Sequence, residues 1–359
     1  MKKILLTGLS SLFTLLCLAQ ATDNPLKDPQ DQLVDTLVRA AFTRGEAVGM
    51  VVGLIKNGQV SIYNYGETLK GNNTLPNENT VYEIGSVSKT FTGTLLALQV
   101  IRGKIKLDDP IGKYLPDSVP QPVFDGVPVT MVSLSNHSSG FPRLATNMFK
   151  DAVDIRNPYA QFTNDNLFHF VKNLKLERKV GDKYEYSNVG TGLLGVLLAR
   201  HAKTTYATLL EREITLPLQM KDTKVQLTES MKSRFIQGYT KELQLQGPWD
   251  FQDIAGMGGI RSTMHDMLIY ARANMSKQPT ILEKAMVLAH QQTFAGANIV
   301  GLNWLLFSKD GKNWVTHTGQ TGGYHSFIAV ERESGTAIVV LSNVSAENRV
   351  GTALMLRPW

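Results

Sequence analysis

Gly49-Met-Val-Val-Gly-Leu-Ile-Lys-Asn-Gly58 is the run that decides the architecture. From Gly49 to Ile55 it is apolar, short and rich in valine, which reads as a buried strand. Asn57-Gly58 supplies the two left-handed residues of a tight hairpin turn, so Gln59 to Tyr65 is the return strand. Upstream, Leu33, Leu37, Val38 and Ala41 share one face of a helix over Gln32 to Thr43. The far end mirrors this pattern. Trp304-Leu-Leu-Phe307, Trp314-Val-Thr-His317, Tyr324 to Val330 and Thr336 to Leu341 read as successive strands. Arg332-Glu-Ser-Gly335 joins the last two, and a terminal helix begins near Ala346.

Between these ends, over roughly residues 87–290, the spacing is helical. Val87, Phe91, Leu95 and Leu98 form one face, and Gly103 suits the stop. Val189 to His201 is apolar nearly all round, as in a buried helix. Ser262-Thr263 followed by Asp266 marks another helix start. The expectation is an α+β fold: an antiparallel sheet built from both termini and flanked by terminal helices, with an inserted, mostly helical lobe. One domain over 22–359 follows, its sheet lobe about 22–80 and 295–359, its helical lobe about 81–294, and a cleft between the two.

The chain has 359 residues, 43% hydrophobic and 19% charged, with a net charge of +6. This is globular composition, ample for a sizeable core. Lys and Arg are scattered, without the basic stripe of a nucleic-acid binder. Residues 1–21 open with Lys2 and Lys3, continue apolar from Ile4 to Ala19, and end Ala19-Gln-Ala21. That is the pattern of a secretory signal peptide cleaved after Ala21, and it predicts a periplasmic or secreted protein. Cleavage removes both lysines, lowering the net charge to +4, and also removes Cys17, the single cysteine. The mature chain then has no disulfide and must rely on its core. No later stretch has the ~20 apolar residues of a membrane span, and a monomer is expected.

Signatures of metalloproteases, P-loops and α/β-hydrolase elbows are absent, and no motif calls for a metal or other cofactor. What remains is Ser86-Val-Ser-Lys89, where the extended Val81–Gly85 gives way to a helix. Residues i and i+3 share a helical face, which sets the Lys89 amine beside the Ser86 hydroxyl, a poor nucleophile until a base takes its proton. S-x-x-K arises by chance about once in a chain of this length, and the alternative is that Ser86 caps the helix while Lys89 is solvated. Tyr186-Ser187-Asn188, just before the buried helix, brings a phenol and an amide to the cleft, or else only a cap. His317-Thr318-Gly319, followed by Gln320, ends a strand along which a substrate backbone can lie, or is an ordinary hairpin turn.

These three segments, in this order, resemble the active-site set of penicillin-recognising serine enzymes, the family of serine β-lactamases and DD-peptidases. Tyr82-Glu-Ile-Gly-Ser-Val-Ser-Lys-Thr-Phe-Thr-Gly93 is similar to the nucleophile region of class C β-lactamases. Arg102–Pro110, Leu134-Ser-Asn-His-Ser-Ser-Gly-Phe-Pro142 and Ala255-Gly-Met-Gly-Gly-Ile-Arg-Ser-Thr263 extend the likeness over about residues 45–345. The resemblance implies a β-lactamase/transpeptidase-like fold and an acyl-enzyme on Ser86. Lys89 would hold the proton network, and Tyr186 would be the base in attack and the acid for the leaving nitrogen. Asn188 would contact the substrate amide, and the N–H groups of Ser86 and Gln320 would form the oxyanion hole. The His317-Thr318-Gly319 strand would pair with substrate, and Arg349 would help hold its carboxylate.

Two positions depart from the class C pattern. The second motif reads Tyr-Ser-Asn where those enzymes have Tyr-Ala-Asn, and the third has His317 in place of lysine. Histidine is mostly neutral at pH 7, which weakens attraction for a β-lactam carboxylate unless Arg349 or Arg143 compensates. A titration limb near ~6.5 would be the mark of His317 in binding. The expected activity is β-lactam hydrolysis. The alternatives are a D-alanyl-D-alanine carboxypeptidase/endopeptidase or esterase of the same family acting on D-Ala-D-Ala peptides, and a non-catalytic β-lactam or peptidoglycan sensor.

Overall fold

The computed structural model describes residues 21–357, so the expected leader, apart from Ala21, and Cys17 lie outside the described residues. An eight-stranded antiparallel sheet forms from β1 (Gly49–Lys56), β2 (Gln59–Gly66), β3 (Phe294–Ala295), β4 (Ile299–Val300), β5 (Leu305–Lys309), β6 (Lys312–Gln320), β7 (His325–Glu331) and β8 (Thr336–Ser342). The spatial order is β2-β1-β8-β7-β6-β5-β4-β3, so β1 from the start of the chain pairs directly with β8 from its end. The α+β architecture expected from the sequence is the one observed.

Residue alternation explains why β1 is apolar throughout. Met50, Val52 and Leu54 point to one face and pack with Val34 and Val38 of helix α1 (Pro29–Thr43) and with Val350 and Leu354 of the terminal helix, Val350–Leu356. Val51 and Ile55 point to the other face and join the larger core of the helical part. A strand covered on both faces loses the polar half of its pattern. The turn that closes β1–β2 has φ of +52° at Asn57 and +78° at Gly58, the backbone that Asn-Gly favours.

The helical part is organised around α2 (Ser88–Ile101), which is buried from Ser88 to Gln99. Helix α3 (Asn188–His201), buried from Val189 to Ala199, packs beside it, and α4 (Met264–Met275) lies between α2 and the sheet. Thr263 caps α4 by accepting from the Asp266 N–H at 3.2 Å. A two-stranded ribbon, Val81–Glu83 with Arg261–Thr263, leads the chain into α2. The two-residue strands β3 and β4 escape sequence reading because hydrogen bonding, not periodicity, defines them. Among the described residues no helix is long and apolar enough to cross a membrane.

Candidate active site

The site forms where the ribbon, α2, α3 and β6 meet. Ser86 lies on a single 3-10 turn, Gly85–Val87, between the ribbon and α2. The N-cap of α2 is Val87, with no side-chain cap, so Ser86 is not spent on capping. Two glycines let β6 press against this turn. A Cβ on Gly85 (φ +48°) would sit 2.7 Å from the Gln320 nitrogen, and one on Gly319 would sit 2.1 Å from the Ile84 carbonyl oxygen. Ser326 adds a tie, donating to the Ile84 carbonyl at 2.7 Å.

The register of β6 exposes its amides. Thr321 donates to Tyr324 across the β6–β7 turn. Gln320 and His325 therefore form a non-hydrogen-bonded pair, with their peptide groups turned away from each other. On the other side β5 pairs with β6 only as far as Thr316. The Thr318 and Gln320 N–H groups thus face the open cleft, next to the turn that carries Ser86.

Lys89 is fully buried, and its Nζ donates to Ser86 Oγ at 3.0 Å and to the Met257 carbonyl. Burial, helped by the nearby Arg143 guanidinium, pulls its pKa well below the ordinary lysine range. Burial holds the pKa of the Tyr186 phenol above the ordinary phenol value, outweighing the opposing pull of the Ser86 hydroxyl. Lys89 Nζ lies 5.0 Å from the Tyr186 ring centroid. Both environments disfavour charge, so the amine and the phenol are stabilised in their neutral forms.

Ser187 caps α3, accepting from the Gly190 N–H at 2.9 Å and donating to the Pro142 carbonyl at 2.6 Å. The middle residue of the second motif is therefore structural. It aims Tyr186 at the cleft and sets Asn188, whose N–H donates to the Arg143 carbonyl at 2.9 Å, on the cleft lining. In the third motif, His317 Nδ1 donates to the Thr318 carbonyl at 2.6 Å. Burial first, and Lys89 second, push its pKa down to about 4. His317 is thus a neutral imidazole, and the titration near ~6.5 expected from its ordinary value is displaced.

The cleft encloses about 610 Å³ and is lined by Ser86, Tyr186, Asn188, His317, Thr318, Gly319 and Gln320, the sequence-derived set apart from Lys89, buried beneath it, and Arg349. Arg349 is exposed at the start of the terminal helix and is not among the lining residues. Its neighbour Asn348 takes the inward position, donating to His325 Nδ1 at 2.9 Å and to Ser342 Oγ at 3.1 Å. The permanent cation of the lining is Arg143, 5.2 Å from the Tyr186 ring centroid, and the carboxylate is Glu347.

Sequence reading missed Tyr159, Tyr184, Trp249 and His325 in this lining. It also missed His137, which packs on Tyr186 at 4.5 Å between ring centroids. The loop that carries Trp249 is fixed by a buried pair on the ribbon. Glu83 accepts from the Trp249 N–H at 2.8 Å, and Arg261 bridges Glu83 and Asp250 at 3.4 and 3.2 Å.

A family model described as Beta-lactamase matches residues 33–355. A D-alanyl-D-alanine-carboxypeptidase/endopeptidase, AmpH, of Escherichia coli (strain K12) is 28% identical over 356 residues, covering 92% of this chain and 91% of that protein. A β-lactamase of Pseudomonas fluorescens is 28% identical over 357 residues, covering 88% and 94%. The crystal structure of a β-lactamase/D-alanine carboxypeptidase from Yersinia pestis, complexed with citrate, superimposes with a TM-score of 0.79. It is 27% identical, and 90% of this chain and 95% of that one are covered.

Proposed function

The chain belongs to the Beta-lactamase family, and from that membership we propose that it is an exported serine hydrolase opening β-lactam rings through an acyl-enzyme on Ser86. The observation that carries this reading is the 3.0 Å contact from Lys89 Nζ to Ser86 Oγ, with the Tyr186 ring 5.0 Å from the same Nζ. A base works best when its pKa lies near the working pH. Burial moves the Lys89 amine down from the ordinary lysine range, in the direction of that condition, and moves the Tyr186 phenol up, away from it.

In this mechanism Lys89 takes the Ser86 proton as Oγ attacks the lactam carbonyl. The carbonyl π pair moves onto oxygen, where the Ser86 and Gln320 N–H groups stabilise the charge. Collapse breaks the C–N bond, and the departing nitrogen takes the Tyr186 phenolic proton. The Lys89 ammonium then returns a proton to the phenolate, and attack by water releases Ser86. This replaces the order implied by the resemblance, in which Tyr186 takes the first proton. Burial of the phenolate, which outweighs the opposing pull of Ser86 and Arg143, is the reason.

Asn188 meets the substrate's amide side chain, and the edge of β6 from His317 to Gly319 pairs with its backbone. Arg143 offers the charge for an anionic group. Export is supported by the leader-like pattern of residues 1–21.

One observation favours a second reading. His317 departs from the lysine of class C β-lactamases, and the D-alanyl-D-alanine-carboxypeptidase/endopeptidase relative above is as similar to this chain as the β-lactamase relative is. The mature protein mixed with a chromogenic cephalosporin separates the two. Sustained turnover is expected; one stoichiometric burst followed by silence rejects the lactamase reading in favour of the peptidase.

A further inference from the structure

His137 brackets Tyr186 on both sides. Its carbonyl accepts the Glu185 N–H at 2.7 Å, and its Nδ1 accepts the Ser187 N–H at 3.2 Å. Its ring lies against the Tyr186 ring, with centroids 4.5 Å apart and planes at 37°, and edge-on to Tyr184 at 5.6 Å. To reach this position His137 adopts φ +61°, the left-handed region that a bulky residue rarely enters. Such strain is retained where surrounding contacts over-determine it. The side chain is 2% exposed. Since Nδ1 accepts, the proton of the neutral ring sits on Nε2.

We propose that His137 is the positioning residue of the reaction, fixing the phenol of Tyr186 at Ser86 by holding the N–H groups of the two residues on either side of it and packing against its ring. The proposal rests on Tyr186 being the proton carrier described above. Tyr186 belongs to an irregular segment ahead of α3, so no helix or sheet ladder fixes its rotation. His137, about fifty residues earlier in the chain, supplies the missing constraint. Misplacing a catalytic group by about 1 Å costs on the order of 100-fold in rate, which is the scale of effect this residue controls.

The test follows acylation of Ser86 in four proteins: Tyr186→Phe, His137→Gly, His137→Asn and the double variant Tyr186→Phe/His137→Gly. Glycine accepts φ +61° but removes both ring and acceptor. Asparagine also tolerates that backbone and keeps an oxygen near the Nδ1 position. Relative to wild type, His137→Gly is expected to lower kcat about 10- to 100-fold with KM within about threefold, and His137→Asn to recover most of the loss. The double variant is expected to be no slower than Tyr186→Phe alone, because residues acting through one group are not additive.

Four results overturn the proposal: wild-type kcat in His137→Gly, Asn no better than Gly, the loss appearing in KM, or a further fall in the double variant. If His137→Gly yields no folded protein, His137→Asn decides: kcat within about tenfold of wild type supports the proposal, and a larger loss in a folded protein overturns it. A Tyr186→Phe variant that acylates at the wild-type rate instead refutes the role of Tyr186 itself. That outcome is distinct from Tyr186→Phe being slow while His137→Gly is not.

Discussion

The chemistry at Ser86 depends on which side chains are denied a charge. Lys89 and Tyr186 are buried in a way that favours amine over ammonium and phenol over phenolate, the bias on which the proposed order of proton transfers rests. His317 follows the same rule. With its pKa near 4, and that of His325 also near 4, neither histidine changes charge between pH 5.5 and 8. The pH profile of kcat/KM is therefore expected to be the same in that interval for the wild type and His317→Gln. A wild-type limb near pH 6.5 that vanishes in His317→Gln contradicts the assignment. The missing cation gives a second prediction. His317→Lys is expected to lower KM for a β-lactam on the order of tenfold, the value of a hydrogen bond to a charged group. An unchanged KM means that Arg143 already serves the carboxylate, and a rise of similar size in KM for Arg143→Ala then accompanies it.

At the scale of elements, the site is an encounter between a strand end and a turn. The absence of a side chain at Gly319 is what lets β6 bring the Gln320 N–H beside Ser86. An alanine there would meet the Ile84 carbonyl oxygen at 2.1 Å and Ser326 Oγ at 2.4 Å, contacts with no flexible far end to yield. Gly319→Ala is expected to cost about 1–3 kcal/mol and to lower acylation on the order of 100-fold. Melting curves and single-turnover kinetics check this, and a variant with wild-type acylation refutes the packing argument. The hairpin of β1 and β2, α2 and α3 were legible in the sequence because each announces itself within a dozen residues. Ser86 and Lys89 were legible because they are one helical turn apart. The place of Arg349 outside the cleft lining was not legible, because the path of the chain at a helix start depends on what Asn348 binds across the sheet. His137 gave no signal, since its role arises from a left-handed φ and from contacts to a segment far along the chain.

For the whole molecule, closing one sheet from both ends of the chain buries histidines as well as apolar groups. His290 is pushed down to about pKa 3, His317 and His325 to about 4, and His137 well below its ordinary value, in each case first by burial. The unfolded chain protonates these imidazoles near ~6.5, while the folded chain resists. The stabilisation is therefore fully present above pH 6.5 and is lost as pH falls from 6.5 toward 4. The urea midpoint is expected to fall steadily through that window, ahead of ordinary carboxylate titration. A midpoint constant from pH 7 to 4.5 contradicts the burial of these rings as neutral species.

The central claim is that Ser86 is the atom that becomes covalently attached to substrate. Acid quenching within the first turnover of a slowly released penicillin, followed by peptide mass mapping, tests it most directly. The account predicts the mass of one penicillin on the peptide containing Ser86, and none on the same peptide of Ser86→Ala. An unmodified Ser86 peptide, or an adduct that persists in Ser86→Ala, would contradict it.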